Sequence, residues 1–123
     1  MTTRLRWYSA GALSALVFAV YRITLSPATS MWDAGEYIAT AKSMGIPHPP
    51  GNPMYTLIAH AFGLIPLSAS YDIRINTLAA LASAITAGFW FLVAERVLRE
   101  KIEGTAARIM AAAGASLFGA GPP

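Results

Sequence analysis

The sequence predicts an all-α fold of the polytopic membrane kind, with transmembrane helices carrying an outer loop of short interfacial helices. Three observations point there. The 123 residues are 55% hydrophobic and 12% charged, with a mean hydropathy of +0.50, which is about half the charged fraction of a soluble domain. Apolar stretches at 7–25 and 75–94 have spanning length, since about 20 residues at 1.5 Å each cross a hydrocarbon core of roughly 30 Å. The 26–74 stretch between them is punctuated by helix caps and prolines, not by strand-like alternation.

The first span, 7–25, holds one charge, Arg22, within a turn of its outer end, where a long side chain can snorkel. Arg4 and Arg6 before an apolar run also fit a signal peptide. Tyr21 and Arg22 interrupt the place where a small-residue cleavage site should follow, so an uncleaved helix is expected.

The 26–74 loop is patterned. Asp33 fits a helix N-cap with Glu36 as its capping-box partner, and Trp32 with Tyr37 fits a hydrophobic staple. Gly45 fits the residue just past the C-terminus. A helix over 34–44 follows. "IPHPPGNP" then forbids helix, because Pro47, Pro49 and Pro50 fix φ and remove backbone donors. Asn52 and Pro53 restart a helix as N-cap and first residue. Met54, Leu57, Ile58, Ala61, Phe62 and Ile65 make one apolar face, predicting an amphipathic helix over 53–65 along the membrane surface. Pro66 ends it, and Asp72 can cap the next helix.

The second span, 75–94, has no charge, and Trp90 and Phe91 stand where an aromatic belt would lie. After a 95–104 loop, an Ala- and Gly-rich third span is expected over 105–120, with Arg108 in its first turn. It ends in "FGAGPP", within an apolar stretch, so the chain reads as a fragment of a longer polytopic protein. Arg4, Arg6, Arg96, Arg99 and Lys101 flank the spans on one side, against Lys42 with Arg22 and Arg74 at the loop's edges on the other. The positive-inside rule then puts the N-terminus and 95–104 in the cytoplasm and the 26–74 loop outside, in the cell (inner) membrane.

Several functions are excluded. Arg96, Arg99 and Lys101 alternate with Glu95, Glu100 and Glu103, so the net charge of +3 builds no nucleic-acid surface. There is no cysteine for thiolate chemistry. P-loop, zinc-protease, nucleophile-elbow and dinucleotide motifs are all missing from the sequence.

The candidate site residues lie in or beside the loop. Asp33 and Glu36 have a complete explanation as a capping box. Asp33 also fits a general base, taking a proton from an acceptor hydroxyl, or a divalent-metal ligand. The readings are compatible, because a capped acid is a positioned acid. His48 is held between prolines, as a structural residue or against substrate. His60, on an apolar helix, reads as structural, and Lys42 as solvated. Arg22 and Arg74 face lipid headgroups or hold a phosphate, for which guanidinium is well shaped.

The stretch "WDAGEYIATAKSMGIPHPPGNPMYTLIAHAFGLIP", followed by "DIRINTLAALASAITA", resembles the opening of a family of polytopic membrane proteins related to the eukaryotic transmembrane O-mannosyltransferases, within the C-type (GT-C) glycosyltransferase superfamily. The resemblance covers about residues 31–91, and its W-D-x-G-E and G-I-P-H-P-P-G-x-P runs are specific in order and spacing. It implies an enzyme moving a sugar such as mannose from a polyprenyl-phosphate donor to an acceptor, for instance a protein hydroxyl, on the extracytoplasmic face. It implies an active-site acid in the first outer loop, matching Asp33, with Glu36 as a second acid. His48, Arg74 and Arg22 are then the expected substrate-side residues, with membrane lipid and the lipid-linked sugar as partners. Family proteins are much longer, so this stretch alone is expected to be inactive. A non-catalytic transporter or assembly subunit on the same scaffold is the alternative.

Overall fold

The computed structural model describes residues 3–28, 33–98 and 104–119. Every regular element among them is helical: α1 (Thr3–Thr24), α2 (Ala34–Ser43), α3 (Pro53–Gly63), α4 (Tyr71–Leu98) and α5 (Gly104–Gly119). One of these helices, α4, is long and apolar enough to cross a membrane. The α1 sequence carries Arg4, Arg6 and Arg22 in its 22 residues, and α5 has 16 residues. The chain divides into two compact units, Met1–Ile23 with Ala80–Pro123, and Thr24–Ala79.

The first unit is held by small side chains. Ala10, Leu13 and Val17 of α1 meet Ala84, Ala87 and Phe91 of α4 and Ala111 and Ala115 of α5 in one buried cluster. Each set recurs at three- or four-residue spacing, the signature of one helix face. Alanines let helix backbones approach closely. Gly88 marks a close approach, since a Cβ there would press on Ser14 Oγ and lie 3.1 Å from the Ala10 carbonyl oxygen. α4 runs on to Leu98, so Glu95 belongs to the helix and not to the expected 95–104 loop. The reason is Arg6: its Nε lies 2.7 Å from Oε2 of Glu95, which is 2% exposed. The approach is off the N–H direction, so these two atoms are an ion pair without a hydrogen bond.

In the second unit α2 and α3 surround Ile38, Ala41, Ala59 and Ile75. The buried side of α3 is its small one, Thr56, Ala59 and Gly63. Met54, Leu57, Ile58 and Ile65 of the predicted apolar face are exposed. α3 stops at Gly63, two residues short of the prediction. Pro66 disfavours helical backbone at the residue before it, and the Ile65 N–H turns back to the Phe62 carbonyl. His60 is structural, its Nδ1 lying 2.8 Å from the Ala41 carbonyl oxygen and tying α3 to α2. α4 begins at Tyr71, so Asp72 lies in its first turn instead of capping it.

Candidate functional site

The site begins where α2 meets the proline elbow. Asp33 takes the N-cap position, but its own backbone is helical (φ −72°, ψ −6°) and its side chain makes no cap hydrogen bond. The expected capping box is therefore not formed. The other half of the staple, Trp32, lies outside the described residues. At the far end of α2 it is Met44, at φ 57°, that takes the left-handed conformation, and the Gly45 N–H donates to the Thr40 carbonyl.

Glu36 turns to the elbow instead. In Pro47–His48–Pro49–Pro50 only His48 has a backbone N–H. Glu36 Oε1 accepts it at 2.6 Å, and Oε2 lies 2.8 Å from Nδ1 of the same histidine. One carboxylate thus satisfies the elbow's lone donor and orients the imidazole. The Pro49–Pro50 peptide is cis, and Gly51, at φ 72°, closes the turn by donating to the His48 carbonyl. On the other side of the ring, Nε2 lies 3.9 Å from Asp33 Oδ2.

The hydrogen bond that Glu36 accepts, then the negative charge of that carboxylate, raises the His48 pKa above its usual value, with a small contribution from Asp33. His48 in turn lowers the Glu36 pKa, through the side-chain bond first and the backbone bond second. Both are open to solvent. Asp33 is the most exposed of the three, with 61% of its side chain accessible.

The three side chains could also hold a divalent cation, for their ligand atoms all lie within 4.8 Å of one another. Two carboxylates and an imidazole suit such an ion. Coordination by Nδ1 would require the Glu36–His48 bond to open.

Tyr37 backs the cluster. Its ring meets His48 edge-on at 6.2 Å and Tyr55 at 5.3 Å. The Asn52 amide donates to its hydroxyl at 2.5 Å. Residues 33–122 match the sequence profile of the protein O-mannosyl-transferase TMEM260 N-terminal domain. The chain belongs to this family. It is 37% identical over 87 residues to the mouse protein O-mannosyl-transferase TMEM260, covering 70% of the chain and 12% of that relative. Its likeness to the Dictyostelium discoideum protein of the same name is 32% over 75 residues, or 59% of the chain and 9% of the relative. The chain thus spans about a tenth of the length of these relatives. No solved structure matches it. The TMEM260 family and the long apolar α4 mark the chain as part of a membrane protein.

Within this TMEM260-type domain the structure brings Asp33, Glu36 and His48 together. Arg74 spends Nε on the Ser68 carbonyl at 2.6 Å and Nη1 on the Gly63 carbonyl at 2.9 Å, fixing the end of α3. Arg22 stands in the last turn of α1, in the other unit. Sequence reasoning gave Tyr37 and Asn52 helix-end roles. Their pairing across 15 residues had no periodic signal. The one available hint was that both flank the acids and the prolines.

Proposed function

We propose that this chain is the N-terminal part of a membrane glycosyltransferase. The enzyme moves a sugar, mannose by its relatives' names, from a polyprenyl-phosphate donor to a protein hydroxyl on the extracytoplasmic face. The observation that carries the reading is a solvent-open Asp33 carboxylate, free of capping duty, beside a histidine locked by a second acid.

In this reading Asp33 accepts the proton of a Ser or Thr hydroxyl. The hydroxyl oxygen attacks the anomeric carbon, the bond from that carbon to the phosphate oxygen breaks, and polyprenyl phosphate leaves with the electron pair. Glu36 and His48 act as a unit that sets the elbow and holds the imidazole beside Asp33. Arg74 is the proposed cation for the donor phosphate in the loop unit, and Arg22, in the last turn of α1, is a proposed substrate-side residue of its own unit. A divalent cation on Asp33, Glu36 and His48 would supply further neutralisation of the leaving phosphate. α1, α4 and α5 are the proposed spans, with the N-terminus cytoplasmic and the acids outside, a placement that the Lys/Arg asymmetry supports.

The test is transfer by the full-length protein in sealed vesicles. A mannosyl-phosphate polyprenol and a hydroxyl-bearing peptide are supplied on the face that carries the loop. Labelled peptide is the expected product. Chelation should suppress it, and added Mn²⁺ restore it, if the cation is used. No product with or without metal would overturn the enzyme reading.

A further inference from the structure

Helix α2 grips the turn from His48 to Asn52 at both ends. Glu36 holds the first residue, His48, by its backbone N–H and its ring. The next residue of the helix, Tyr37, holds the last, because its hydroxyl accepts a hydrogen bond from the Asn52 amide at 2.5 Å. Successive side chains of a helix diverge by about 100°, so neighbours in sequence can reach two separate points of one loop. Between those points the turn closes on itself, with the Gly51 N–H on the His48 carbonyl at 2.9 Å.

We propose that Tyr37 is a positioning residue of the site, clasping Asn52 so that the His48 ring stays between Glu36 and Asp33. What the ring is positioned for rests on the glycosyltransferase reading above, whereas the clasp itself does not.

Tyr37 meets every part of the cluster. Its backbone N–H donates to the Asp33 carbonyl at 2.9 Å, which sets it one helical turn from the proposed base. Its ring presents an edge to His48 at 6.2 Å and 66°, and a second contact, with Tyr55 at 5.3 Å, holds that ring in place. Asn52 is anchored on its own side, since its carbonyl accepts both the Thr56 N–H at 3.0 Å and the Thr56 hydroxyl at 3.2 Å. The Asn52 side chain does not cap α3, so the helix it starts does not account for where the amide points. Glu36 and His48 are open to water, which competes for an exposed charge pair. The half-buried Tyr37 ring is the firmer support.

The experiment is hydrogen exchange at the His48 amide in the full-length protein. It is read by mass spectrometry of fragments spanning the elbow, where the prolines leave few other N–H groups. Tyr37→Phe keeps the ring and loses the hydroxyl. It should speed the His48 amide about two- to fivefold, the scale of a neutral hydrogen bond with one partner open to water. Asn52→Ala should do the same. The double variant should do no more than either alone, because both remove one bond. Tyr37→Leu also strips the ring edge from His48 and should reach about tenfold. The amides of Ala41 and Ala59, buried in α2 and α3, should keep their rates in Tyr37→Phe.

An unchanged His48 rate in Tyr37→Phe would overturn the proposal. So would an equal rise at Ala41 and Ala59, which would make Tyr37 a prop of the helix pair and not of the elbow. Additive effects in the double variant would mean that the two side chains act apart, and would overturn it too. Exchange needs no sugar transfer. A full-length protein that transfers no sugar while these rates behave as expected therefore defeats the function and leaves the clasp. Active transfer with an unchanged His48 rate does the reverse.

Discussion

The two units hold their charges in opposite ways. In the helical unit, Arg6 and Glu95 meet in a nearly closed site, and the surrounding cluster is alanine, leucine, valine and phenylalanine. In the loop unit, Glu36, His48 and Asp33 meet in the open, fixed by prolines and by the edge of a tyrosine ring. A pair buried to this degree is closed to a ligand by the packing around it. An exposed cluster contributes little to folding, because water competes for each charge, and its groups remain open to chemistry. The contrast gives Glu95 a stabilising role and leaves Asp33 open for the role proposed above.

The largest effect expected from that contrast is at Asp33. Asparagine would serve a cap nearly as well as aspartate, and here the side chain caps nothing. Asp33→Asn should therefore leave helix content and thermal stability unchanged. An amide does not take up a proton near neutral pH, so transfer by the full-length protein should fall by about 10²–10⁴-fold. Glu36→Gln, which still accepts the His48 N–H, should lose less. Near-normal transfer by Asp33→Asn would end the assignment of Asp33 as base.

The next effect belongs to the other unit. Arg6→Ala leaves Glu95 buried without a counter-charge, a change that costs about 3–5 kcal/mol in closed sites. Arg6 is itself partly accessible, at 18%, so the lower end, about 3 kcal/mol, is expected in detergent unfolding. Replacing both partners by leucine should recover most of it, since apolar pairs often substitute for buried ion pairs without loss. If the single and double variants unfold alike, the pair is not what orders these helix ends.

Much of the architecture was legible because it is local. Pro53 starts α3, the 75–94 run lies inside α4, and the Ala-rich stretch after residue 104 is helical. The loop acids and the elbow histidine were also legible as neighbours. What failed was each inference that assumed a side chain serves its nearest neighbours. Asp33 and Glu36 have capping-box spacing, yet Glu36 finds a better partner 12 residues away, at the one N–H the prolines leave behind. Gly45 was the residue suited to positive φ, yet Met44 adopts it. Glu95 looked like a loop charge because its partner, Arg6, lies 89 positions earlier. The two carbonyls that Arg74 meets, at Gly63 and Ser68, were not legible either, being backbone groups with no sequence signature.

The smallest effect, and the finest test of the contrast, is the response of the elbow to pH. His48 is raised above its usual 6.5 by the Glu36 hydrogen bond. Its contribution to stability is therefore complete below about pH 6.5 and is lost as pH rises through the raised value. Glu36 is lowered below its usual 4.5 by His48. Its contribution is complete above that pH and is lost as pH falls through the lowered value. The elbow should thus be tightest between about pH 4.5 and 6.5, and should loosen on either side. Both groups are exposed, so global unfolding should barely register the change, and the readout must be local. The His48 ring resonances should titrate above the ordinary histidine value, and Glu36→Gln should return them toward it, leaving only the minor influence of Asp33. The His48 amide should exchange slowest within the same window. A ring that titrates at 6.5 or below, indifferent to Glu36→Gln, would mean that the two side chains do not pair in solution. Glu36 would then not hold the imidazole beside Asp33, and the loop unit would hold its charges no more firmly than any solvated surface.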